Sequence, residues 1–99
     1  MNQQLINRIK KMQREMMEAE QKLKDSVFTG TAGGGLVKVE VKGSKEVLSV
    51  SINPAILNPD DKEMIEDTIL AALNDAFRQV DEETEDVMAP YASMAGGFF

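Results

Sequence analysis

Residues 37–52 read VKVEVKGSKEVLSVSI, and this stretch decides the fold because its apolar and polar side chains alternate. In residues 37–42 valine alternates with lysine and glutamate, which is typical of a strand with one buried and one solvated face. Gly43-Ser44 then predicts a two-residue hairpin turn, and residues 47–52 resume the alternation with serine on the polar side. We therefore predict two antiparallel strands that share one apolar face.

Three glycines at residues 33–35 come directly before this stretch, and a glycine run of this kind sometimes cradles a phosphate. A phosphate-binding loop needs a helix after the glycines and a Lys-Ser or Lys-Thr pair. Here the next residues are Leu-Val-Lys-Val, which continue as a strand. We therefore interpret Gly30 and the three glycines as a connection that supplies positive φ after an earlier strand at residues 27–29.

The N-terminal segment, residues 1–25, is predicted to form one long helix. Its apolar residues recur at intervals of four and three, which is the 3.5-residue period of a coiled-coil seam. A helix of this length extends for about 36 Å, whereas a strand of about eight residues spans only about 26 Å. The helix must therefore overhang its sheet, and we predict that the overhanging seam forms a homodimer through Leu5, Ile9, Met12 and Met16.

A second helix is predicted over residues 58–88. Asn58 suits the N-cap and Pro59 the first helical position. The carboxylates that follow are favoured by the positive end of the helix dipole, so we interpret them as a solvated helix start rather than as a metal site. Pro90 is expected to end the helix, leaving residues 89–99 as a loose tail.

The 99 residues have room for a single domain with a small core. We predict an α+β fold in the order α-β-β-β-α, with a three-stranded antiparallel sheet over residues 26–53 and both helices covering its apolar face. No apolar run reaches the length of a membrane span, and the N-terminus lacks the apolar core of a signal peptide. A cytoplasmic location is therefore expected.

The composition argues against an enzyme. The chain contains no cysteine and no histidine, which excludes disulfides, thiolate metal sites and hydrolysis by a Ser-His or Cys-His arrangement. We expect neither a catalytic site nor a metal or other cofactor.

Charge is distributed unevenly along the chain. Nine basic and five acidic residues lie at or before Lys45, which gives +4, and two basic and twelve acidic residues follow, which gives −10. The asymmetry suggests a nucleic-acid contact in the first part, but charge alone favours a solvated helix face. A dimer would shift the balance toward phosphate binding, because its two overhanging helices would present two basic clusters across one gap. No aromatic residue is interleaved with the basic ones, so contact with the DNA backbone is expected rather than base stacking. The candidate contacts are Arg8, Lys10, Lys11, Arg14, Lys38 and Lys42.

Several short motifs occur in a specific order along the chain. They are RIKKMQREMMEAEQKL in the first helix, the glycines before LVKV, INPAIL after the sheet, and DKEMIED and LNDAF in the last helix. In this order the chain closely resembles the YbaB/EbfC family of bacterial nucleoid-associated proteins.

The resemblance implies a tweezer-like homodimer whose helices project from a central sheet. It also implies a small, cytoplasmic, non-enzymatic protein that binds double-stranded DNA with modest sequence preference and influences chromosome organisation and gene expression. By position, the implied DNA contacts are Arg8, Lys10, Lys11 and Arg14, with Lys22 and Lys24 as weaker candidates. Lys62 and Arg78 stand among many acids, which leaves a DNA contact by the last helix doubtful.

A second interpretation is a protein–protein interaction module. The net charge of −6 disfavours approach to nucleic acid by the chain as a whole. In this interpretation the long helices, or the acidic last helix, dock a recombination or replication factor.

Overall fold

The structure is a computed structural model, which describes the backbone of residues 2–96. Its order is helix α1, strands β1, β2 and β3, and helix α2, with two short 3-10 turns before α2. The bounds are α1 Gln3–Asp25, β1 Val27–Ala32, β2 Val37–Lys42, β3 Val47–Ile52, the turns Pro54–Ile56 and Pro59–Asp61, and α2 Lys62–Gly96. The α-β-β-β-α order is thus confirmed. The end of the predicted tail, residues 97–99, lies outside the described residues.

The three strands form an antiparallel sheet in the order β1-β2-β3. Val37, Val39 and Val41 of β2 are completely buried, as the alternating pattern predicts. They form one core with Ala72 and Ala76 of α2, which lies across β1 and β2. The core therefore lies between one helix and two of the three strands.

Gly30 has a different role from the one expected. It is a buried residue within β1, where it pairs with Val39, and a Cβ there would meet the backbone of Ala72 and Ala76. Its missing side chain lets α2 approach the sheet closely. By contrast, the three glycines 33–35 do have positive φ, at 65°, 69° and 88°, and they form the turn between β1 and β2.

The hairpin between β2 and β3 is wider than the predicted two-residue turn. The strands are joined by residues 43–46, Lys45 has a φ of 72°, and a β-bulge shifts the register beside Val41. Gly43 and Ser44 lie at the centre of a tight turn, which the Lys45 N–H closes by donating to the carbonyl of Lys42 (2.8 Å). In addition, the Gly43 N–H donates to the carbonyl of Ser26 (2.9 Å) and the Ser44 N–H to that of Lys24 (3.2 Å). The loop is thereby fixed to the end of α1.

The position of α1 differs from the expectation that both helices cover the sheet. α1 packs mainly against α2, and Leu23 is its one buried residue in the described chain. The helix begins after Asn2, whose side-chain oxygen accepts the N–H of Gln4 (2.9 Å). The N-cap determines where α1 starts, whereas the position of α1 is determined by its packing against α2.

The prediction that Pro90 ends the second helix is wrong. α2 continues through Pro90 to Gly96, and it begins at Lys62 because Asn58 caps the preceding 3-10 turn instead (Asp60 N to Asn58 Oδ1, 3.0 Å). A proline removes one helical hydrogen bond, which costs less near a helix end that is exposed to water. The part of α2 beside α1, which includes Val80, Val87 and Met88, lies before Pro90.

Candidate nucleic-acid interface

The last turns of α1 and the middle of α2 form the base of a two-helix arm. Leu23 lines one depression together with Val80 and Met88, and Ala19 lines a neighbouring one with Val87. α1 runs toward the sheet and α2 runs away from it, so the pair is antiparallel. The molecule is accordingly elongated, with extents of 71 × 21 × 16 Å. The N-terminal half of α1 is therefore carried away from the sheet.

This N-terminal half carries the four cations that the sequence singles out. Arg8, Lys10, Lys11 and Arg14 are all exposed. Only Lys11 forms an ion pair within residues 2–96, and its 3.9 Å distance to Glu15 is long. An exposed pair of this kind contributes little, so all four charges remain available to a ligand.

The four cations cover more than one side of α1. At 100° per residue, Lys10 and Arg14 lie on one side, one turn apart, and Lys11 lies beside Arg14. Arg8 lies about 160° around the helix from Lys10. The cations therefore form a broad basic surface instead of a single stripe.

Comparison with known proteins gives the chain its family. The sequence profile of the YbaB/EbfC DNA-binding family matches residues 1–95. The chain belongs to the YbaB/EbfC DNA-binding family. This membership confirms the resemblance inferred from the motifs, and it agrees with the expectation that the chain is not an enzyme.

Individual relatives are similar over almost the whole chain. A nucleoid-associated protein from Chloroflexus aurantiacus is 40% identical over 100 residues, covering 100% of both chains. Another, from Agathobacter rectalis, is 44% identical over 93 residues, covering 94% of this chain and 82% of the relative. The crystal structure of an uncharacterized protein from Helicobacter pylori has a TM-score of 0.72 at 30% identity, covering 93% of this chain and 98% of that one.

The other candidate lysines of this YbaB/EbfC chain lie apart from the basic surface on α1. Lys22 and Lys24 occupy the last turn of α1, near the sheet. Lys38 and Lys42 project from β2 on the sheet face turned away from α2, because they alternate with the buried valines. The structure thus separates the basic residues into a distal group on α1 and a proximal group around the sheet.

Lys45 is bound to the protein itself. Its Nζ lies 3.3 Å from a carboxylate oxygen of Asp81, which links the β2–β3 loop to α2. The two residues are far apart in sequence, so no local pattern predicts this pair.

The two cations of α2 lie beside carboxylates of the same helix. Lys62 lies 3.4 Å from Glu66, and Arg78 pairs with both Asp75 and Glu82. The surrounding side chains are mostly carboxylates. Both cations of α2 therefore lie among carboxylates whose negative charge disfavours DNA, which agrees with the doubt raised by its sequence.

Asp75 and Gln79 close the outer edge of the sheet. Asp75 Oδ2 accepts the backbone N–H of Thr31 (3.0 Å), and Gln79 Nε2 donates to the carbonyl of Thr29 (2.9 Å). The Thr31 N–H and the neighbouring Arg78 lower the pKa of Asp75. Sequence reasoning missed this pair, although its spacing of four places both residues on one face of α2.

The predicted dimerisation residues are only partly accessible. Ile9, Met12 and Met16 are half-buried in the single chain, and Leu5 is 47% exposed. A second apolar surface lies on β3, where Val47, Leu48 and Val50 are 44%, 43% and 46% exposed. Within the part of the chain that the structure describes, neither helix has an apolar stretch long enough to span a membrane.

Proposed function

We propose that this protein binds double-stranded DNA as a homodimer through the N-terminal half of α1. It acts in the cytoplasm, on the nucleoid, and influences chromosome organisation and gene expression. The observation that carries the proposal is the charge of α1: four exposed cations lie between residues 8 and 14, and no acidic residue precedes Glu15. Residues 15–99 carry seven basic and seventeen acidic residues, or −10, so DNA is attracted to this segment and repelled elsewhere.

The contacts of these cations are made principally with phosphates. Lysine and arginine on an exposed helix neutralise the backbone, which gives affinity and a strong dependence on salt but limited sequence specificity. Lys22 and Lys24 have a secondary role because Glu18, Glu20 and Asp25 surround them in sequence. Lys38 and Lys42, on the far face of the sheet, also have a secondary role.

The experiment is a gel shift with a 30-base-pair duplex at low salt. Replacing all four cations of α1 by glutamine should abolish the shift while the circular dichroism spectrum stays unchanged, because glutamine is a good helix former. A control that replaces Lys22, Lys24, Lys38 and Lys42 removes the same charge and should weaken binding much less. Equal losses in the two variants would contradict the assignment to α1.

The homodimer has two candidate interfaces. The seam of Leu5, Ile9, Met12 and Met16 stays a prediction, but most of it is half-buried against the rest of the chain. β3 is the more favourable surface because it is an edge strand. The Asn53 N–H donates to the carbonyl of Leu36 (2.8 Å), so by alternation the N–H groups of Val50 and Ile52 point away from β2.

An open edge with an apolar face is unfavourable in water and is usually covered. α2 blocks the β1 edge through Asp75 and Gln79, which leaves β3 as the edge for pairing with a second copy. Sedimentation equilibrium tests this choice. Val50→Lys should give a monomer and Ile9→Lys a dimer, and the reverse result would assign the interface to α1.

The interaction-module alternative is favoured by one observation, the exposed acidic residues of α2. They are Asp81, Glu82, Glu83, Glu85 and Asp86, on the part of α2 that leaves the sheet. A stoichiometric protein partner recovered from nuclease-treated lysate, with no DNA affinity at physiological salt, would support a recombination or replication accessory role instead.

A further inference from the structure

One face of α1 has properties that phosphate binding alone does not explain. One shallow depression is lined by Lys10, Gln13, Arg14, Met17, Glu18 and Gln21. Met17 is 66% exposed, whereas Met12 and Met16 are half-buried. An apolar side chain held in water one turn from Arg14 fits a ligand that has both phosphates and apolar groups within a few ångströms.

Three polar side chains of this face, those of Lys10, Gln13 and Arg14, are available to a ligand. Among residues 2–92, whose side chains the structure describes, the Gln13 amide makes no hydrogen bond, whereas Gln21 donates to Asp25 (3.2 Å) and Gln3 to Asn7 (3.2 Å). In the same range neither Lys10 nor Arg14 forms an ion pair, although Glu18 lies one turn from Arg14. A free amide beside a free guanidinium is the combination that hydrogen-bonds to base edges.

The dimensions fit the major groove of DNA. From Lys10 to Met17 the helix rises about 10 Å, the length of about three base pairs. An α-helix with its side chains is about 10–12 Å wide, and the major groove is about 12 Å wide. This face lies on the side of α1 turned away from the seam that packs against α2, so a DNA groove can receive it without displacing α2.

We infer that this face of α1 enters the major groove and reads base identity there. Gln13 hydrogen-bonds to an adenine edge, Arg14 to a guanine edge, and Met17 contacts a thymine methyl group. Lys10 binds phosphate at the rim of the groove. The inference rests on the proposed DNA binding and adds to it a preference over about three base pairs for each α1.

The test separates base reading from phosphate binding by changing uncharged residues. Wild-type protein is used to select duplexes from a randomised pool, and its affinity for the selected duplex is compared with that for a scrambled one. Gln13→Ala should reduce this preference about five- to 150-fold at an A·T pair. Met17→Ala should reduce it at an adjacent thymine, and neither change should alter the salt dependence.

Gln4→Ala is the matched control. Gln4 is exposed and lies nine residues from Gln13, which places it about 180° around the helix. It should keep the full preference. Equal wild-type affinity for all duplexes, or an unchanged preference in Gln13→Ala, would overturn base reading and leave phosphate binding intact. A wild-type protein that binds no DNA would overturn the proposed function as well.

Discussion

Gly30 lies in β1 directly beneath α2, and a side chain there should push the helix off the sheet. A Cβ at residue 30 would lie 2.5 Å from the backbone nitrogen of Ala76 and 2.7 Å from its Cβ, and closer still to the carbonyl oxygen of Ala72. Ordinary contacts of a Cβ begin near 3.4 Å, so α2 would have to retreat by about 1 Å. The contacts of α2 with the buried valines of β2 would loosen as a result.

The expected cost follows from the atoms involved. Overpacking a core destabilises a protein by about 1–3 kcal/mol, and here the obstacle is backbone, which cannot rotate aside. We therefore expect Gly30→Ala to lower the free energy of unfolding by about 3 kcal/mol. For a domain of this size that is a decrease in Tm on the order of 15 °C.

Thermal unfolding followed by circular dichroism measures this effect. Gly34→Ala is the control, because Gly34 has a φ of 69° with nothing within 4 Å of its Cβ position, so it tests backbone strain alone, about 1 kcal/mol. Ala76→Gly added to Gly30→Ala should not restore stability, since the backbone obstacles remain. A Gly30→Ala protein that melts no lower than Gly34→Ala would refute the reasoning.

Two further predictions concern the helices. The fold lowers the pKa of Asp75, so its carboxylate stabilises the protein above the ordinary aspartate pKa near 4, and this contribution is lost as the pH falls through the lower folded-state value. Asp75→Asn should therefore reduce the loss of stability as the pH falls from about 5 to about 2, measured by urea unfolding. An unchanged pH profile would argue against the Thr31 contact. Leu23 is 8% exposed, so Leu23→Ala should lower the free energy of unfolding by about 2–5 kcal/mol. A surface substitution usually changes stability by about 0.5 kcal/mol, so a loss below about 1 kcal/mol would show that Leu23 does not hold α1 against α2.

Sequence periodicity predicts the helices and strands of this protein but not how they pack against one another. The alternating valines of β2 predict a buried strand because strand periodicity is local. The seam of α1 indicates that some surface covers it, but not that α2 does so, because the approach of Leu23 to Val80 and Met88 is a contact between segments far apart in sequence. The β2–β3 loop has Gly43-Ser44 at the centre of its turn, as predicted, but it is wider because Lys45 follows at positive φ and the register shifts beside Val41.

The candidate site shows the same division. The cations of α1 were identified from composition and charge, and helical spacing alone places Lys10 beside Arg14. Ion pairs between distant segments, such as Lys45 with Asp81, depend on tertiary approach and leave no local pattern. The seam spacing includes Met12 and Met16 but not Met17, and in the structure Met17 is 66% exposed while the other two are half-buried.

The salt dependence of duplex affinity tests the role of α1 most directly. It is measured for the wild-type protein, for Lys10→Gln/Lys11→Gln, and for Lys62→Gln/Arg78→Gln, which removes the same charge from paired cations of α2. Each phosphate contact contributes about 0.9 to the slope of log affinity against log salt, so a dimer that loses four contacts should have a slope shallower by about 3.6. We predict this change in the α1 variant and a wild-type slope in the α2 variant. Equal slopes in all three proteins would contradict DNA binding by α1.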